Sequence, residues 1–122
     1  TTNDVVFNGI LKDESTSVYR GLIKIEKEAQ KTYSYLENHI LKLGTKTIAN
    51  SIPSLKIEAN DVKASHGATI GQIDDEHLFY LMARGLSREE AERLIVEGFF
   101  EPVIQKIPLE ELREKIRELV RK

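Results

Sequence analysis

The chain has 122 residues, 40% of them apolar and 31% charged, with a formal net charge of −2 and no cysteine. That length supports one ordinary domain, burying roughly two-thirds of the surface its unfolded form exposes, and the composition reads as soluble and globular. The charge gives no electrostatic footprint for nucleic acid or an anionic membrane. No apolar run reaches the ~20 residues of a membrane span, and disulfides and thiolate metal ligands are excluded. Absence of cysteine agrees with a cytoplasmic location. The chain opens Thr1-Thr2-Asn3-Asp4 with neither an initiator Met nor a signal segment, so an excised segment whose first strand lacks partners is the expectation.

From Asp4 to about Gly71 the pattern is short-period and β-like. Val5-Val6-Phe7 is a small apolar run, and residues 18–25 are β-branched and partly alternating. Residues 32–36 and 39–43 follow, then residues 54–59 with strict alternation, then residues 62–64. These residues suit a pleated surface. Asn8-Gly9, Asp13-Glu14-Ser15, Gly44, Asn50-Ser51 and Asn60-Asp61 predict the turns between them. Strand-turn units of similar size recur without an exact repeat, which leaves two architectures open: a sandwich, or the coils of a parallel β-helix.

From Asp74 the period becomes helical, and three helices are predicted near 75–84, 88–105 and 109–121. Asp74 is an N-cap candidate, with Asp75 and Glu76 at the positive end of the helix dipole. Leu78, Phe79, Leu81 and Met82 supply the first apolar face, and Gly85 stands where a left-handed C-cap is wanted. Ser87 and Glu90 have capping-box spacing. Gly98 and Pro102 predict a break or bend in the second helix, and Pro108 suits the first turn of the third. Leu109, Leu112, Ile116 and Leu119 form a stripe there, with ion pairs such as Glu111–Lys115 on the solvated side.

Candidates for chemistry are few. His66 lies among small residues, Ala64-Ser65-His66-Gly67-Ala68, where the strand pattern ends and where another backbone has room to approach. Histidine is a common iron and zinc ligand, which makes His66 the metal candidate against a structural role at a turn. His39 and His77 are weaker, because the three histidines show none of the short spacings of a zinc site. Asp74-Asp75-Glu76 reads as a charged first helical turn rather than a metal site. No nucleophile elbow or phosphate-binding glycine loop is present. The β half offers no paired carboxylates of the kind a carbohydrate-active β-helix enzyme presents. The chain is therefore expected not to be an enzyme.

Several ordered stretches nevertheless go together. They are residues 19–25 and 29–32, then residues 52–62, then Ser65-His66-Gly67-Ala68-Thr69-Ile70-Gly71. Downstream follow Leu78-Phe79-Tyr80-Leu81, Arg84-Gly85-Leu86, and Glu90-Ala91 leading to Leu94-Ile95-Val96-Glu97-Gly98-Phe99. This series, from about Val18 to Ile104, resembles the C-terminal region of the SufB/SufD family of iron–sulfur cluster assembly scaffold proteins. The resemblance implies the C-terminal coils of a right-handed parallel β-helix over residues 1–72 and a small helical, ATPase-docking domain over residues 73–122. It leans to the SufD type. SufB proteins typically show Glu-His-Glu-Ala where this chain has Ser65-His66-Gly67-Ala68, and Thr47 takes the place of the SufB cluster-site cysteine. Many SufD proteins carry a cysteine where this chain has Ala64.

What the resemblance implies about function is a non-catalytic scaffold subunit of the SUF assembly complex. It would pair through its β-helix with a SufB-type chain or a second copy of itself, and dock a SufC-type ABC ATPase through its helices. The competing reading is a generic interaction module or a homodimeric SufB/SufD-like scaffold. His66 is placed by the resemblance at the subunit junction. The turn at residues 83–91 and the helix after it become the docking surface, with Leu86, Arg88, Leu94 and Phe99 as its candidates. Without cysteine the chain is expected to hold no cluster alone, a transient iron–sulfur cluster forming at a subunit interface instead.

Overall fold

The computed structural model describes residues 1–121. The chain divides into two compact units, Thr1–Gln72 and a helical unit that starts at Ile73.

The first unit contains five strands of ten residues: β1 (Thr2–Leu11), β2 (Thr16–Ile25), β3 (Tyr33–Lys42), β4 (Ile48–Ile57) and β5 (Lys63–Gln72). Every pairing is parallel. One sheet has the order β1-β3-β5 and the other pairs β2 with β4. The chain therefore crosses to the opposite sheet after each strand and returns one rung further on. Thr2 lies opposite Tyr33, Tyr33 opposite Lys63, and Thr16 opposite Ile48. No pair of these strands forms a hairpin, which removes the antiparallel sandwich from the two architectures that periodicity left open.

Alternation sorts each strand into an inward and an outward set. In β2 the buried positions are Gly21, Ile23 and Ile25, while Val18, Arg20, Leu22 and Lys24 face out. The core gathers Ile23, Ile25, Leu36 and Ala59, with Val62 and Ala64 packed against it. Each large apolar side chain buried in this way contributes about 1.5–3 kcal/mol. Hydroxyls close the corners: Ser15 donates to the Lys12 carbonyl at 2.7 Å, Thr32 to that of Ala29 at 2.9 Å, and Thr47 to that of Gly44 at 2.8 Å.

Two of the expected turns are strand interior. Asn8-Gly9 lies within β1 and Asn50-Ser51 within β4. Parallel stacking aligns polar residues into rungs inside the coil, so a turn-forming residue need not mark a turn. Asn38 is fully buried and donates to the Ser51 hydroxyl at 3.0 Å across the interior. For the same reason the runs at 32–36 and 39–43 belong to one strand, with polar Asn38 between them.

The second unit contains α1 (Asp75–Ala83), α2 (Arg88–Ile104) and α3 (Glu110–Arg121). Asp74 caps α1, accepting from the Glu76 amide at 2.9 Å. At the other end Gly85 has φ 101°, the Gly85 amide bonds Met82 O and the Leu86 amide bonds Leu81 O. This is a Schellman closure that needs a residue without Cβ. The capping box is complete: Glu90 N donates to Ser87 Oγ at 3.1 Å, and Ser87 N to Glu90 Oε2 at 2.8 Å. Those bonds from Ser87 hold the Glu90 carboxyl below its ordinary range.

Three helical expectations are corrected. α2 does not break at Gly98 or Pro102 but runs on to Ile104, because a proline so close to the C-terminus disturbs only the last turn. Pro108 lies before α3 rather than in its first turn, since the Leu109 carbonyl accepts the opening bond, from Arg113 N. Among the described residues Glu111 and Lys115 form no ion pair. The α3 charges that pair across helices are Arg117, to Glu101 of α2, and Arg121, to Glu97 of α2 at 3.2 Å. Among the described residues no helix is long and apolar enough to cross a membrane.

Candidate functional site

His66 sits in mid-β5, not at a strand end, and its side chain points into the coil. It completes an inward row with Val5 and Leu36 in the first sheet, facing the part of the second sheet where Gly21 pairs with Pro53. The Tyr19 ring lies 6.4 Å away at 53°, and Tyr19 itself stacks on Phe7 at 4.8 Å. Both ring nitrogens of His66 are buried, and neither has a hydrogen-bond partner among the described residues. Buried polar groups are nearly always paired, so this imidazole keeps its full capacity to donate, accept or ligate. Asn38, also inward on β3, and Asn8 on β1 each carry a further buried unpaired atom, Oδ1.

The small residues beside His66 do not serve a close backbone approach within the chain. A Cβ at Gly67 would meet only the Tyr35 hydroxyl, at 4.0 Å, and one at Gly71 would meet nothing.

The other histidines are separate from His66. His39 faces out from β3, its Nδ1 2.6 Å from Thr69 Oγ1 and its Nε2 3.1 Å from Glu37 Oε2. On the same face the hydrogen bond with Glu37, and then the Glu37 charge, push the Tyr35 hydroxyl above its ordinary pKa. His77 is exposed in the first turn of α1. No group of three or more metal-ligating side chains occurs among the described residues. Thr47 is buried with its hydroxyl committed to Gly44, and Ala64 packs on the apolar core.

In the helical unit Leu86 is half-buried in the α1–α2 turn. Arg88 is exposed and paired with Glu92 at 3.2 Å. Leu94 is 49% exposed, whereas Phe99 is half-buried with its ring edge-on to Phe100 at 5.3 Å. Of Leu94, Ile95, Phe99 and Phe100 on α2, Leu94 is the one left facing out. The sequence did not single out Phe79, which is 76% exposed. Leu78, Phe79, Leu81 and Met82 wrap so far around α1 that periodicity could not tell which of them is buried, and only Leu78 is.

Residues 1–99 match the family described as SUF system FeS cluster assembly, SufBD core domain. The chain is 38% identical over 112 residues to the iron–sulfur cluster assembly protein SufD of Bacillus subtilis, covering 92% of this chain and 26% of that protein. It is 36% identical over 107 residues to SufD of Escherichia coli, covering 88% and 25%. It is 45% identical over 101 residues to an iron–sulfur cluster assembly SufBD family protein of Pyrococcus horikoshii, covering 83% and 22%. The chain thus spans about a quarter of the length of these curated relatives. With the parallel two-sheet coil, the inward histidine and this agreement along nearly the whole length, the chain belongs to the SufBD core-domain family of iron–sulfur cluster assembly proteins.

Proposed function

We propose that this chain is the C-terminal region of a SufD-type, non-catalytic scaffold subunit of the SUF machinery, acting in the cytoplasm. In this reading the two-sheet coil is the end of a right-handed parallel β-helix, supported by strands that alternate between sheets about every half-coil. The subunit pairs with a SufB-type chain through this β-helix and carries a SufC-type ABC ATPase on its helices. Support for a pairing face comes from the outer side of β2 and β4, where Val18, Leu22, Ile48 and Ile52 all stand exposed. Apolar groups in such a patch favour a protein partner.

The observation that carries the reading is the His66 imidazole, held inside the coil with neither nitrogen spent on the chain itself. The cluster is the cargo of this system, and its iron takes mainly thiolate ligands. This chain has no cysteine, so the fit is a single imidazole, held in the coil with both nitrogens buried, that must turn outward to meet ligands supplied by a partner subunit.

The test is co-expression of the chain with a SufB-type subunit and the ATPase, followed by iron and sulfide analysis of the purified complex. The wild-type complex should load both, and His66→Ala should load substantially less while assembling normally. Equal loading by the two complexes would remove His66 from the site. The isolated chain, reconstituted anaerobically, should retain no stoichiometric iron and sulfide. A stable cluster on it would contradict the shared-site reading.

A further inference from the structure

Gly21 is the one inward position of β2 between Tyr19 and Ile25 that carries no side chain. Glycine weakens a strand interior because it adds backbone entropy and packs nothing, so its presence there needs a local reason. The reason is the ring opposite. A Cβ on Gly21 would lie 2.6 Å from His66 Nε2, 2.9 Å from Leu36 Cδ2 and 3.0 Å from Tyr19 Cε1. These are distances at which something must move. Tyr19 needs to give by only a few tenths of an ångström, and Leu36 Cδ2, which must also shift, is the far end of a flexible side chain, whereas the rigid imidazole comes closest to the missing methyl.

We infer that Gly21 is the positioning residue of His66: the absent side chain on β2 is what lets the imidazole of β5 lie inside the coil with both nitrogens shielded. Forty-five positions separate the two residues in the chain, yet the coil brings them face to face. Any larger residue at position 21 pushes the ring out of this pose and into solvent. The positioning stands on geometry alone. Its consequence for cluster assembly rests on the reading of His66 given above.

The two are tested apart by using the isolated chain and no iron. The three histidines serve as one another's controls, since His77 is exposed and His39 is held from outside by Thr69 and Glu37. Modification by diethyl pyrocarbonate, read per residue by peptide mass spectrometry, should be about tenfold slower at His66 than at His77 in the wild type, the protection expected of a group that reacts only after local opening. In Gly21→Ala the His66 rate should rise close to that of His77, while the His39 rate stays fixed and circular dichroism stays native. The imidazole nitrogen resonances of His66, followed by NMR, should shift in the same variant. Unchanged His66 reactivity and resonances in a folded Gly21→Ala protein would overturn the inference. Should Gly21→Ala fail to fold, the double variant Gly21→Ala/His66→Ala decides. Recovery of folding identifies the ring as the obstacle, and continued failure assigns the collision to Leu36 or Tyr19 and overturns it.

Discussion

Arg117 of α3 grips Glu101 of α2 with two hydrogen bonds, at 2.5 and 3.2 Å, and holds Glu114 of its own helix with its remaining amine. The hydrogen bonds from Arg117 hold the Glu101 carboxyl below its ordinary range, and the guanidinium is correspondingly raised. A carboxylate whose pKa is lowered on folding adds stability that is present above its unfolded pKa, about 4.3 for glutamate, and is lost as pH falls through the lower folded value. The α2–α3 pair should therefore loosen on acidification below about pH 4, and Glu101→Gln should flatten that dependence. At neutral pH Arg117→Ala should lower the melting temperature more than Arg93→Ala, whose partner Glu89 lies on the same helix and is largely exposed. Melting curves of the variants across pH check both outcomes.

Ser87 controls the start of α2 and with it the shape of the α1–α2 turn. Removing its hydroxyl leaves the Glu90 amide unpaired and breaks half of the reciprocal capping box. Ser87→Ala should cost about 1 kcal/mol, with Ser87→Asp restoring most of it. Denaturant midpoints at unchanged slope would register the difference.

The capping box, the Asp74 cap and the Gly85 stop were all legible in the sequence, because each is set by residues within five positions of one another. What was not legible depends on contacts between coils. Asn8-Gly9 and Asn50-Ser51 resembled turns because composition does not reveal that a neighbouring rung pairs with them. His66 stands out in the sequence by its small neighbours from Ala64 to Ala68, whereas Gly21 comes opposite it only through the return of the chain in the second sheet. The charges of α3 read as pairs along one helix, whereas Arg117 and Arg121 reach to α2, a choice fixed by how the two helices pack and not by spacing.

On the outer face of the second sheet Leu22 is 62% exposed, with Val18 beside it on β2 and Ile48 and Ile52 on β4. The inward-facing Val5 and Phe7 of β1, and Leu55 and Ile57 of β4, are exposed as well. The isolated chain should therefore self-associate as concentration rises. Leu22→Glu should shift sedimentation toward monomer and weaken pairing with a SufB-type chain, while leaving the inward core intact. A wild-type chain that stays monomeric at high concentration would contradict this.

The scaffold account stands or falls most directly on the ATPase contact. The measurement is calorimetric titration of a SufC-type ATPase into the wild-type chain and into Leu86→Ala/Arg88→Glu, with circular dichroism confirming that both are folded. Leu86 lies in the α1–α2 turn and Arg88 opens α2, and Leu94 and Phe79 expose apolar surface on the adjoining helices. The account predicts saturable one-to-one binding by the wild-type chain and a loss of about 2 kcal/mol in the double variant, the size expected for residues at the centre of an interface. Absence of binding by a folded wild-type chain would contradict the account. Equal affinity of the two proteins would move the docking surface away from this turn.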